Sequence, residues 1–343
     1  MADLPALAYV NGRLATELLD LTSDPAALDS SGFWVVVKTY EGELTAARFD
    51  SVRDLPPGGI GNLRPLWPWR GPAPGTWLSS IDEGTYVAAV DKIRDYIAGG
   101  EVYQANLCRV MSAPLPDPGH CDVVGLARLL TVGNPAPYAS VVRLPEAGLH
   151  VVSASPELYL GRNGREVASR PIKGTGRTAA DLQPKDHAEN VMIVDLVRND
   201  LGRVSEIGGV AVPQLCAIEE HPGLIHLVST VTGRLRPGIG WPELLAATFP
   251  PGSVTGAPKS SAVRIIAELE PMPRGPYCGA IGWVDAGRQV GELAVGIRTF
   301  WVAGGRLHFG TGAGITWGSD PDGEWAETEL KASRLIALAS GGT

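Results

Sequence analysis

SASPELYLGRNGREVASRPIKGTGRT, residues Ser153 to Thr178, sets one carboxyl and one amine just past two short apolar runs. Val151–Ser155 and Glu166–Ser169 have strand composition, and Gly161-Arg162-Asn163-Gly164 between them is a hairpin signal. Glu157 follows Pro156 after the first run. Lys173 follows Ile172 after the second, with Thr175 two residues on. Delivered by neighbouring strands, such a pair can face one pocket, the carboxyl as general acid and the amine as nucleophile. A surface Glu–Lys ion pair is the commoner fate of two such residues. Both readings stand at this point.

Downstream, the pattern is helical from Asp186. At 100° per residue, Ile193, Leu196 and Asp200 fall within about 40° of Glu189, which places a carboxylate on an apolar stripe. A buried carboxylate needs compensation, by an arginine or by a bound cation. Val210–Ala217 and Leu224–Leu235 read as strands, the second holding His226, and Trp241–Thr248 as a helix. FPPGSVTGAPK, Phe249–Lys259, opens a helix over Pro258–Leu269. Its lysine does not directly follow the second glycine, so it is not a phosphate-binding P-loop. Gly279–Val284 and Leu293–Val302 read as strands. In the second, Arg298 shares a face with Ala294 and Gly296, either gripping a carboxylate ligand or forming a structural salt bridge. Gly310–Ile315, GTGAGI, reads as a glycine-rich turn exposing backbone donors. A last helix over Gly323–Leu338 carries Glu324, Glu327 and Lys331 on one face.

Upstream, residues 1–54 are β-rich, with Phe33–Lys38 (FWVVVK) a strand and Leu44–Phe49 its hairpin partner. The proline- and glycine-rich Leu55–Pro74 is a rigid irregular connection. The expected organisation is therefore a short β-rich portion, 1–78, packed on a catalytic body, 79–343. The body opens with a helix over Asp82–Ala98 capped by Ser79 or Ser80. Its buried face is Tyr86, Val90, Ile93 and Ile97. A strand over Glu101–Met111, a helix over Asp122–Leu130 and a strand over Tyr138–Leu144 follow.

The chain has 343 residues, room for a large core, and a net charge of −8, which argues against nucleic acid and anionic membrane as partners. Four cysteines lack metal-ligand spacing and read as reduced thiols. No leader-like segment and no membrane-length apolar run is evident, so the expectation is a cytoplasmic protein.

Taken together, SPELYL, RPIKGTGRT, DHAENVMIVDLVRNDLGRV, HLVSTV, FPPGSVTGAPK, YCGAIGW, GIRTF, GTGAGI and EWAETELK resemble, in this order, the chorismate-utilising enzymes. The resemblance runs over roughly Asp82 to Leu338. It implies an α+β fold of stacked antiparallel sheets flanked by helices, with the active site in the cleft between them. Within the family, Lys173 in Pro-Ile-Lys-Gly-Thr is similar to component I of aminodeoxychorismate synthase, whereas anthranilate synthases carry alanine there. Gln104 stands where isochorismate- and salicylate-forming relatives place a water-activating lysine, and an amide cannot serve as that base.

The resemblance implies a transferase that aminates chorismate to 4-amino-4-deoxychorismate, on the route to 4-aminobenzoate and folate. Lys173 would be the nucleophile and Glu157 the acid. Mg²⁺ would be held by Glu189 and Glu327, with Glu324 and Asp186 arranging water around it. Arg298, Tyr277 and the backbone of Gly312, Ala313 and Gly314 would hold the enolpyruvyl carboxylate. Thr175, His226 and Gln104 would line the ring, and Lys331 would balance charge. Ammonia would come from a glutamine amidotransferase subunit or from solution. The alternatives are anthranilate synthase component I and an idle subunit that only docks an amidotransferase.

Overall fold

In the strand Phe33–Lys38, Phe33 to Val37 are apolar without alternation because both faces are buried in the computed structural model. Phe33, Val35 and Val37 point into a core made of strand residues alone, with Ala8, Val10, Val142, Val151, Ile281 and Trp283 among them. Trp34 and Val36 point the other way, into a core shared with helices. Val141 and Val142, and likewise Val151 and Val152, divide between two cores in the same manner. Two β layers therefore pack face to face, with helices on their outer faces.

Residues 4–56, 58–176, 178–182, 184–221 and 224–341 are described, together with the side chains they carry except those of Thr175, Pro184, His221 and Leu224. Their eighteen strands form one hydrogen-bonded network in which the pairings are antiparallel. The helices are α1 (Glu83–Ala98), α2 (Val123–Gly133), α3 (Pro184–Gly202), α4 (Trp241–Thr248), α5 (Lys259–Leu269) and α6 (Pro321–Ala339). The outer core under α3 and α4 is filled by Ile193, Val197, Leu201, Trp241 and Leu244. α2 and α6 cover another core, and α1 and α5 a third. Strands from residues 1–54 are built into the same network: Leu7–Val10 pairs with Tyr138–Leu144, and Phe33–Lys38 with Ala280–Asp285. No helix among the described residues is long and apolar enough to cross a membrane.

Several elements differ from the sequence reading. The hairpin through Gly164 joins Leu158–Asn163 to Glu166–Arg170, while Leu149–Ser155 pairs with Tyr138–Leu144 and Thr299–Ala303. Pro156 and Glu157 are the crossover between the two strands, which the short interval had concealed. The α1 cap is Asp82, whose carboxylate accepts from the Thr85 N–H at 2.8 Å, in place of Ser79 or Ser80. The expected strand over Glu101–Met111 begins three residues later, as Gln104–Pro114.

The expected strand over Leu293–Val302 is two strands, Val290–Val295 and Thr299–Ala303. Gly296 breaks it: its carbonyl accepts from Cys278 N–H and its N–H donates to the Gly279 carbonyl. A Cβ there would collide with the Pro276 carbonyl. Arg298 follows with φ 51°. The shared face expected for Ala294, Gly296 and Arg298 therefore does not form. Gly310–Ile315 is not a turn but the end of the strand Arg306–Ile315, paired along its length with Gln104–Pro114.

Candidate active site

Two chain crossovers run side by side at a seam between the layers. Pro156–Glu157 leads from a strand paired with Tyr138–Leu144 to one paired with Val290–Val295, and Gly296–Arg298 makes the reverse change. They are tied by the Val295 N–H to the Glu157 carbonyl, 3.0 Å, and the Ala154 N–H to the Arg298 carbonyl, 3.1 Å. Glu157 and Arg298 thus stand at one seam because neither belongs to a regular strand.

Lys173 reaches the same place through a β-bulge. Ile172 pairs with Val228 and Thr175 with His226, so one extra residue is inserted between them. Gly174 takes φ 77° in the bulge, and a Cβ on it would meet Asp186. The Lys173 Nζ donates to the Ser253 carbonyl at 3.2 Å, and the Asn106 side-chain amide donates to the same carbonyl at 3.0 Å. Gln104 is buried beside Asn106, and its Nε2 donates to Asn106 Oδ1 at 3.4 Å.

Glu157 is only 4% exposed. Burial pushes its carboxyl up to about 7, against the pull of the nearby Ser253 hydroxyl, the Lys173 charge and the Ile172 backbone. Among the described residues the Ser253 hydroxyl completes no hydrogen bond of ordinary geometry. A carboxyl titrating there is partly protonated at neutral pH and can give up its proton.

A second group gathers where α3 faces α6. Burial raises Glu189, opposed by Lys173 and Lys185, with Asp186 and Glu327 adding repulsion. Burial also raises Glu324, whose Oε1 accepts from Ser319 at 2.6 Å. Burial pushes Glu327 up as well, but Lys331 at 2.6 Å, with Lys185 and Lys173, brings it below the usual range. Lys331 also donates to the Gly312 carbonyl at 3.2 Å. Among the described residues no group of three His, Cys, Asp or Glu side chains is arranged to hold a metal ion. Mg²⁺, however, takes few carboxylates and fills its shell with water, so two glutamates on different helices fit its needs.

Arg298 is half-buried, and burial lowers its guanidinium. No carboxylate among the described residues forms a salt bridge with it, which leaves its fork available to a carboxylate ligand. Close by in the fold, the glycines of Gly310–Gly314 serve close packing. A Cβ on Gly310 would land in the Tyr277 ring, one on Gly312 on Cys108 Sγ, and one on Gly314 on Gln104 Nε2. Tyr277 is buried, with its hydroxyl 3.8 Å from Cys108 Sγ. His226 is buried in the strand Leu224–Leu235, opposite Thr175 in register. The Thr175 side chain lies outside the described residues.

Sequence reasoning passed over Asn106, Lys185 and Ser253. Asn106 is two residues from Gln104 on the same strand face, and Lys185 is four residues before Glu189 on α3. Both spacings were visible. Ser253 joins Lys173 to Asn106 through its backbone carbonyl, which side-chain identity does not reveal.

The model of the chorismate binding enzyme family matches residues 50–337, and the chain belongs to that family. It is 41% identical over 272 residues to an anthranilate synthase component 1 of Streptomyces coelicolor, covering 76% of this chain and 52% of that one. It is 38% identical over 272 residues to an aminodeoxychorismate synthase component 1 of Klebsiella aerogenes, covering 76% and 59%. The chain thus spans between half and three fifths of the length of these curated relatives. The fold matches that of anthranilate synthase component I of Streptococcus pneumoniae, with TM-score 0.76 at 24% identity over 96% of this chain and 89% of that one. It also matches a menaquinone-specific isochorismate synthase of Escherichia coli, with TM-score 0.78 at 18% identity over 98% and 90%.

Proposed function

We propose that this chorismate-utilising enzyme aminates chorismate at C4, giving 4-amino-4-deoxychorismate. The observation that carries the reading is the meeting of a protonatable carboxyl, Glu157, and an amine, Lys173, around Ser253. The Lys173 amine attacks ring C2 while Glu157 gives its proton to the 4-hydroxyl, which departs as water. Ammonia then bonds to C4 as the Lys173–C2 bond breaks, and the product leaves as an ammonium. Arg298 grips the enolpyruvyl carboxylate, with Tyr277 and the Gly312–Gly314 backbone shaping its site, and Thr175, His226 and Gln104 bound the ring. Glu189 and Glu327 would hold Mg²⁺, with Glu324 ordering water around it, and the ion would supply Lewis-acid withdrawal of electron density from the ring. Lys331 offsets the acidic charge around Glu327.

Ammonia would come from a glutamine amidotransferase partner or from ammonium in solution, and the product suits 4-aminobenzoate and folate synthesis in the cytoplasm. Anthranilate formation is the second reading, favoured by the Streptomyces relative. Mass spectrometry of the products from chorismate, Mg²⁺ and an ammonium salt separates the two. The expected result is 4-amino-4-deoxychorismate without pyruvate; anthranilate with pyruvate would overturn it.

A further inference from the structure

The proposed chemistry leaves a proton debt. Each turnover moves the Glu157 proton onto the departing hydroxyl, and the product carries away a protonated amine. Glu157 is left as a carboxylate and must take one proton from solvent before the next cycle, although it is 4% exposed.

Behind Glu157, on the side of α3 and α4, lies a cavity of about 20 Å³. Its polar lining is Glu157, Tyr159, Ser169, Asp200, Thr248 and Ser253. One water needs roughly 10–15 Å³ and two to four polar partners, so the cavity has room for one. A groove of about 730 Å³ lies beyond it, lined by the exposed Tyr103, Asp195 and Asn199 and by Lys259. Asp200 lines both spaces. Its carboxylate is held by Lys259 Nζ at 2.6 Å, and the same amine donates to the carbonyls of Thr248, 2.8 Å, and Pro250, 2.7 Å.

We infer that Asp200, fixed by Lys259, relays protons from the outer groove through a water in the cavity to Glu157, recharging the acid from behind while substrate or product fills the front. This rests on the reading of Glu157 as the acid. Asp200 takes a proton from solvent in the groove and its carboxyl O–H gives one to the water. The water passes another to the Glu157 carboxylate, and Asp200 returns to its charged state. Burial raises Asp200 to about 6, against Lys259 and Arg203, so its proton affinity lies near that of Glu157 and transfer runs nearly level. Among the described residues, the other charged group bearing on Glu157 is Lys173.

The test compares single and multiple turnover of chorismate by the full chain with Mg²⁺ and ammonium, in Asp200→Asn and Val197→Ile. Val197 lines the cavity and takes no part in the ion pair, so an added methyl takes room from the water while Asp200 and Lys259 keep their side chains, which covers the case that Asp200→Asn does not fold. The relay predicts a single-turnover rate within about twofold of wild type and a multiple-turnover rate down roughly tenfold or more, with formic acid restoring Asp200→Asn. Equal single- and multiple-turnover rates, or wild-type repeated turnover in Val197→Ile, overturn it. Glu157→Gln is the control: if it turns over normally, the reading of Glu157 as acid fails. If it is inactive while the other two cycle at wild-type rate, only the relay fails.

Discussion

A carboxyl that holds a proton at neutral pH must be kept from water, and at Glu157 the crossover between two layers does this. The acid's affinity is raised in the folded protein, so its contribution to stability is present below the ordinary value of 4.5 and is lost as pH rises through about 7. Glu157→Gln removes that loss. Activity should fall about 100- to 10,000-fold, while stability relative to wild type improves by on the order of 3 kcal/mol between pH 4.5 and pH 8. Urea unfolding of both proteins across that range checks the sign; a wild type whose stability does not decline faster than the variant's would contradict it. Glu157 and Lys173 were legible as a carboxyl and an amine, but not on neighbouring strands: Glu157 stands on a crossover, and the strand of Lys173 pairs with Leu224–Leu235. Their common partner was not legible, because Lys173 bonds to the main-chain oxygen of Ser253, a group every residue carries.

Elements with a continuous or strictly periodic apolar pattern read well. Trp241–Thr248 has the bounds expected of it because Trp241, Leu244 and Leu245 bury one face. The break at Gly296 did not read, because apolar alternation continues through it and the cause is the distant Pro276–Gly279 segment. Gly310–Ile315 misread for the opposite reason. Glycine usually marks a turn, but here alternate glycines let Tyr277, Cys108 and Gln104 lie against a strand. That account predicts a coupling. Gly310→Ala should cost about 1–3 kcal/mol, and markedly less in a Tyr277→Ala background, where the ring is gone. A double-mutant cycle from thermal or urea melts measures it; additive effects would mean that the ring and the strand do not compete for that space.

At the scale of the whole molecule, the seam that holds Glu157 and Arg298 exists because two β layers share one hydrogen-bonded network. Phe33–Lys38 pairs with Ala280–Asp285, and Ala8, Val10, Val35 and Phe49 share a core with Ile281 and Trp283, so deleting residues 1–54 should expose those two and yield an insoluble chain. A soluble, cooperatively folding product by calorimetry would show that the later residues need no such cover. The layered architecture was legible only through the nine ordered signatures, since antiparallel pairing between distant segments leaves little local trace. The central claim is tested most directly by quenching the enzyme with chorismate and Mg²⁺ present and ammonium absent, then mapping the peptides by mass spectrometry. The account predicts Lys173 carrying the mass of chorismate less one water. An unmodified Lys173, in a preparation that aminates chorismate as soon as ammonium is added, would contradict it.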